Sequence, residues 1–113
     1  MDDRIKSTLN GKAIKIQWRS RKKLNEVQDL ASEFSEKAFD LGMKIATAKT
    51  KKTRDKLNAQ AVEDQIDYYL KSGAIMFEFD DGFPEREWWA DEDFPQGEFE
   101  AKQQLFYSPI RKT

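Results

Sequence analysis

The chain has 113 residues, 20 of them basic and 21 acidic, and it contains neither cysteine nor histidine. A single hydrophobic core is feasible at this length without staples, and the missing residue types exclude disulfides, thiolate or imidazole catalysis and the usual zinc ligands. The near-neutral total conceals a division: residues 1–57 carry fifteen bases against eight acids and residues 58–113 carry five against thirteen, so the chain is electrically bipolar.

No apolar stretch approaches the length of a signal h-region or a membrane span. The expectation is therefore a cytoplasmic protein without leader or membrane contact, folded as a single domain over residues 1–113.

The first structural signal is Asn10-Gly11, a turn dipeptide, followed by Lys12 to Trp18 with Ile14, Ile16 and Trp18 on one side. That alternation predicts a half-buried strand, with a frayed helix extension as the competing reading. From Leu24 the period changes. Leu24, Val27, Ala31, Phe34, Ala38, Leu41, Ile45 and Ala48 recur at steps of three and four, giving a long helix with one apolar face and Ser20 as its N-cap.

Thr47 to Arg54 is polar and basic, after which Ala59, Val62, Ile66 and Tyr69 restore an apolar stripe. The spacing predicts a second helix capped by Thr53 and stopped at Lys71-Ser72-Gly73. The phase carries through the polar stretch, so one uninterrupted helix of about fifty residues with a small β appendage is the alternative. An antiparallel hairpin is favoured because it covers both stripes within one chain.

Ile75, Phe77 and Phe79 alternate with Ala74, Met76 and Glu78, which predicts a strand paired with the Ile14 strand and Lys15 or Lys12 close to Glu78. Turns are expected at Asp80 to Pro84 and at Phe94 to Gly97, and a last short strand at Leu105 to Tyr107. The fold expected is α+β: a two-helix antiparallel hairpin packed on a small antiparallel β-sheet.

Chemical motifs are few. The glycines stand at 11, 42, 73, 82 and 97, which draws neither a dinucleotide turn nor a phosphate loop. Counting back from Gly82 puts Phe77 and Phe79 where a calcium loop needs oxygen ligands, so no metal site is read from the acids around it. Glu85 with Glu87, or Asp91 with Asp93, would need burial to split their pKa values for acid–base work, and turn-rich acidic segments are usually exposed. The reading is non-catalytic, with no cofactor.

Two basic clusters, Arg19, Arg21, Lys22, Lys23 and Lys49, Lys51, Lys52, Arg54, are candidates for phosphate contact. Non-specific binding through a handful of phosphates lies near 10⁻⁴ to 10⁻⁶ M, on the order of what a tethered acidic segment at roughly millimolar effective concentration competes away. Nucleic-acid binding or nucleoprotein assembly is accordingly the alternative reading.

The favoured reading rests on Phe77 to Glu100, where ten carboxylates and one base, Arg86, accompany seven large rings. Exposed rings promote association, so a purely solubilising tail would hold few of them. Trp88-Trp89 places two hot-spot side chains on different faces of any regular element. Acids set among rings also imitate a nucleic-acid backbone with its bases. The function expected is a small interaction module, an inhibitor or assembly factor of the size viruses such as phages encode. Phe83, Trp88, Trp89, Asp91, Glu92, Asp93 and Phe94 would dock on the basic surface of a partner protein. A third reading, a structural subunit, joins copies head to tail through the bipolar charge.

Overall fold

The structure is a computed structural model that describes residues 3–108. In chain order it contains β1 (Lys6–Leu9), β2 (Lys12–Ile16), α1 (Arg21–Thr47), α2 (Lys51–Met76), β3 (Phe77–Phe79), α3 (Arg86–Trp89) and α4 (Gln96–Tyr107). The strands form one antiparallel sheet in the order β1-β2-β3. This is the α+β arrangement the sequence predicts, a helical hairpin with a small sheet.

Asn10 (φ 47°) and Gly11 (φ 80°) both adopt the left-handed region, which is the requirement of a two-residue hairpin turn. They join β1 to β2, and β1, rather than the Leu105 segment, supplies the third strand. β2 ends at Ile16, leaving Trp18 outside the strand and 57 % exposed. Ile14 faces Phe79 and Ile16 faces Phe77 across the next ladder, so the period-two side chains of both strands reach one core. Lys15 lies opposite Glu78 as predicted, although its ion pair is with Asp80 at 3.7 Å, while Glu78 pairs with Arg4 at 2.5 Å.

Helix α1 starts where its cap predicts: the Ser20 hydroxyl accepts from the Lys23 amide at 3.1 Å. It stops at Ala48 (φ −66°, ψ 129°), which turns extended, and Thr50 caps α2 by accepting from the Thr53 amide at 3.2 Å. Thr50 takes the cap role expected of Thr53. Two extended residues and a side-chain oxygen that competes for backbone amides break the helix here, so the uninterrupted-helix alternative does not form.

At its other end α2 runs through Gly73 to Met76, and the strand begins at Phe77 rather than Ile75. Gly73 is a packing residue, not a stop. A Cβ there would stand 2.5 Å from the Trp89 Cη2 atom, so the indole occupies the space a side chain would fill.

The core joins Leu9, Ile14, Ile16, Phe77 and Phe79 of the sheet to Val27 of α1 and to Ile66, Tyr69 and Met76 of α2. Trp89, Phe94, Phe99 and Phe106 close it from the C-terminal segment. Each such ring or aliphatic side chain contributes about 1.5–3 kcal/mol when fully buried. Leu105 to Tyr107, expected as a strand, are helical in α4, and Phe94 to Gly97, expected as a turn, lead into that helix through Pro95.

Strands of three to five residues span roughly 10–17 Å, whereas α1, with 27 residues, extends about 40 Å. The hairpin therefore overshoots the sheet, and the molecule measures 58 × 27 × 18 Å. Core contacts on α1 end near Val27 and on α2 near Ile66; toward the bend the hairpin is a stalk. There Phe34 stacks on Tyr68 at 4.8 Å, and Leu41 is buried outside the main core.

Candidate interaction surfaces

The acidic segment wraps the end of the head in three local motifs. Gly82 (φ 96°) turns the chain after β3, its amide donating to the Phe79 carbonyl at 3.1 Å. The single turn of α3 then carries both tryptophans, and a second turn follows in which Asp91 accepts from the Asp93 amide at 2.8 Å. That bond holds the chain so that Phe94 points back into the core.

The rings turn inward. Trp89 is 1 % exposed and its indole donates to the Pro84 carbonyl at 3.3 Å. Five rings surround it, those of Phe79, Phe83, Trp88, Phe94 and Phe99, with centroids 4.8 to 6.3 Å away. Phe94 is 8 % exposed against Tyr69. Trp89 and Phe94 are therefore core residues, and the expectation that they contact a partner is corrected: on one helical turn beside a sheet edge, both indoles find intramolecular neighbours. Trp88 is half-buried against Phe79 and Phe94. Phe83 keeps 46 % of its surface exposed.

The acids face out. Asp80, Asp81, Glu85, Glu87, Asp91, Glu92 and Asp93 are all exposed. Arg86, the one base of the segment, reaches the other way to Asp67 at 2.5 Å and Glu63 at 2.6 Å on α2. Hydrogen bonding to Asp67 and then Glu63 holds its guanidinium above its ordinary pKa. Apart from Asp80, which pairs with Lys15, the exposed acids of residues 80–93 form no ion pair among the described residues, and the Phe83 ring lies in the same segment.

The basic clusters sit at opposite ends of α1. Arg19, Arg21 and Lys22 are exposed at the root, Lys23 is half-buried, and Arg19 donates to the Tyr107 carbonyl of α4. Lys49, Lys51, Lys52 and Arg54 are exposed at the bend. The two groups stand about 40 Å apart, with the acids of the stalk between them, so they do not join into one phosphate track.

A surface the sequence analysis did not single out lies on the stalk. Phe39, Met43 and Val62 are 69 %, 56 % and 53 % exposed. Beside them a groove of about 310 Å³ opens between the helices, lined mainly by Phe34, Ala38, Leu41, Ile45 and Ala61. The predicted stripe Ala59, Val62, Ile66, Tyr69 is split, with Ile66 and Tyr69 serving the core and Ala59 and Val62 exposed. The signal that reveals this is length: two helices of 27 and 26 residues have more apolar face than a three-stranded sheet can cover.

Among the described residues no group of three or more acids is placed to hold a metal ion, and no helix is long and apolar enough to cross a membrane. No protein-family model, curated protein or solved structure matches this chain.

Proposed function

We propose that the protein is a small non-catalytic interaction module that docks through the acidic rim of its head on a basic surface of another protein. The carrying observation is the rim itself: seven exposed carboxylates fall between Asp80 and Asp93, the segment that also carries the half-exposed Phe83 ring. The segment's only arginine is already engaged elsewhere. The buried Trp89 and Phe94 beneath anchor this rim to the core, so the charges are presented at low entropic cost. Such a surface attracts lysine- and arginine-rich faces of the kind that bind nucleic acid, and it speeds encounter with them. Inhibition or assisted assembly of a nucleic-acid-binding protein is the activity this chemistry serves.

The test is affinity capture with the tagged full chain beside a Glu85→Lys, Glu92→Lys, Asp93→Lys variant, both verified as folded by circular dichroism. A partner held by the wild type at low salt and lost from the variant is the expected outcome. Equal capture by both chains would refute the assignment.

A further inference from the structure

We infer that the junction between β2 and α1 binds single-stranded nucleic acid, one base stacking on Trp18 while neighbouring phosphates meet Arg19, Arg21 and Lys22. This surface is distinct from the acidic rim, and the inference stands independently of the function proposed for that rim.

Trp18 is the stacking platform. Ile14 and Ile16 precede it at alternate positions and are buried, but β2 ends at Ile16 and the indole keeps 57 % of its surface exposed. Among the described residues it packs on no other ring, and its N–H has no hydrogen-bond partner. Trp88 and Trp89, by contrast, each pack against other rings. An open indole face accepts any unpaired base, because every base has a π-face.

Positive charge flanks the ring. Trp18, Arg19, Ser20, Arg21 and Lys22 are five consecutive exposed residues. From Lys12 to Asn25 the chain has six bases and no acid. Arg19 is steadied by donating to the Tyr107 carbonyl, which leaves its charge without a counterion. Among the described residues, none of Arg19, Arg21, Lys22 and Lys23 forms an ion pair. Three of them fill the first turn of α1, where no acid stands and the helix dipole disfavours bases. The fold thus carries a repulsion that its own side chains do not relieve and that bound phosphate does. Trp18 and Arg21 are three residues apart, at most about 11 Å, which matches about three phosphates along one strand.

The chain's own acids stand off from this site. The Gln17 amide donates to the Met76 carbonyl at 2.8 Å and the Asp80 amide to the Ala13 carbonyl at 3.0 Å, so the acidic segment opens at the opposite end of β2 from Trp18. Five residues of extended chain separate Ala13 from Trp18, roughly 17 Å, more than the ~10 Å screening length at about 0.1 M salt. Glu98 is held at that far end too, accepting from the Asn10 amide at 3.0 Å. The competition expected from a tethered acidic segment is therefore weakened here.

The solitary ring also selects the occupant. A membrane surface is gripped by a broad apolar face, whereas the other large apolar side chains exposed among the described residues lie elsewhere, Phe39, Met43 and Val62 on the stalk and Phe83 in the acidic segment. A nucleotide needs one ring face and a cation or two beside it.

Fluorescence anisotropy of a labelled oligothymidylate of about eight nucleotides, titrated with the full chain, tests the inference. The wild type should bind with a Kd of about 10⁻⁴ to 10⁻⁶ M at physiological salt. Raising salt from about 50 to 200 mM should weaken it about 20-fold, as three phosphate contacts at a slope of roughly −0.7 each require. Trp18→Ala should weaken binding roughly tenfold and Trp18→Phe should restore most of it. An abasic strand of the same length should bind more weakly than the oligothymidylate and be indifferent to Trp18→Ala. Arg21→Glu with Lys22→Glu should remove binding, and circular dichroism should stay unchanged because acids suit a first helical turn. Lys51→Glu with Lys52→Glu, at the bend, should leave the affinity as it is. No binding by the wild type at about 0.1 mM protein, a Trp18→Ala chain that binds like the wild type, or a loss at the bend equal to that at the junction overturns the inference. So does a preference for the matching duplex or for vesicles of anionic phospholipid. None of these outcomes bears on the acidic rim, whose residues are untouched.

Discussion

Gly73 and Gly42 are two helix-interior glycines whose replacement by alanine should shift stability in opposite directions. Alanine gains about 1 kcal/mol over glycine in a helix interior from propensity alone. At Gly42 the new methyl meets nothing within 4 Å, so Gly42→Ala should keep most of that gain, about 0.5–1 kcal/mol. At Gly73 the methyl would stand 2.5, 3.1 and 3.3 Å from three carbons of the Trp89 ring. That ring is 1 % exposed and walled by five others, so it cannot swing aside without displacing them. Overpacking of this kind costs about 1–3 kcal/mol, leaving Gly73→Ala destabilised by up to about 2 kcal/mol after the propensity gain. Urea unfolding of both variants at low micromolar concentration, followed by tryptophan fluorescence and far-ultraviolet circular dichroism, measures the difference. If Gly73→Ala matched or exceeded the wild type, the proposed reason for that glycine would be wrong. If Gly42→Ala were destabilised as strongly, the argument from open space would fail.

Trp89→Ala should cost about 3–5 kcal/mol and Trp88→Ala clearly less, because one indole is sealed and the other half-buried; equal losses by chemical denaturation would contradict the placement of the pair. Burial raises the Tyr69 and Tyr107 hydroxyls above their ordinary value of 10.0. Their neutral forms are favoured in the folded state, so this contribution is fully present below pH 10, and stability should fall as pH rises beyond it. Absorbance titration of the phenolates beside urea midpoints at rising pH checks the sign, and a stability that increases across that window would contradict it.

The long apolar period from Leu24 and the cap at Ser20 specify α1 because spacing and cap agree over many turns. Ile14 and Ile16 likewise announce β2. The hairpin follows from the need to cover two stripes, although Thr50, not Thr53, sets the second start, a difference of one turn that propensity does not decide. Helix α4 is illegible because its inner seam at Phe99, Lys102, Gln103 and Phe106 is half polar; Lys102 and Gln103 are nonetheless partly buried, and Gln103 donates to the Tyr68 hydroxyl at 3.0 Å. The inward turn of Trp89 is hidden for a different reason. Its pocket is made by a glycine sixteen residues earlier in the chain, a long-range fit that local pattern does not carry. For the candidate surfaces, the acids at 80–93 read correctly as exposed, while the rings among them were drawn into the core that the acids border.

The molecule divides into a head folded by its C-terminal rings and a two-helix stalk that runs beyond the sheet. Hydrogen exchange of the intact chain, read by mass spectrometry, tests that division most directly. Amides of Met76 to Phe79 and of α2 from Ile66 to Gly73, which lie in the core, should exchange more slowly than those of the stalk at residues 38–62. Protection along the stalk that equals or exceeds that of the head would contradict it.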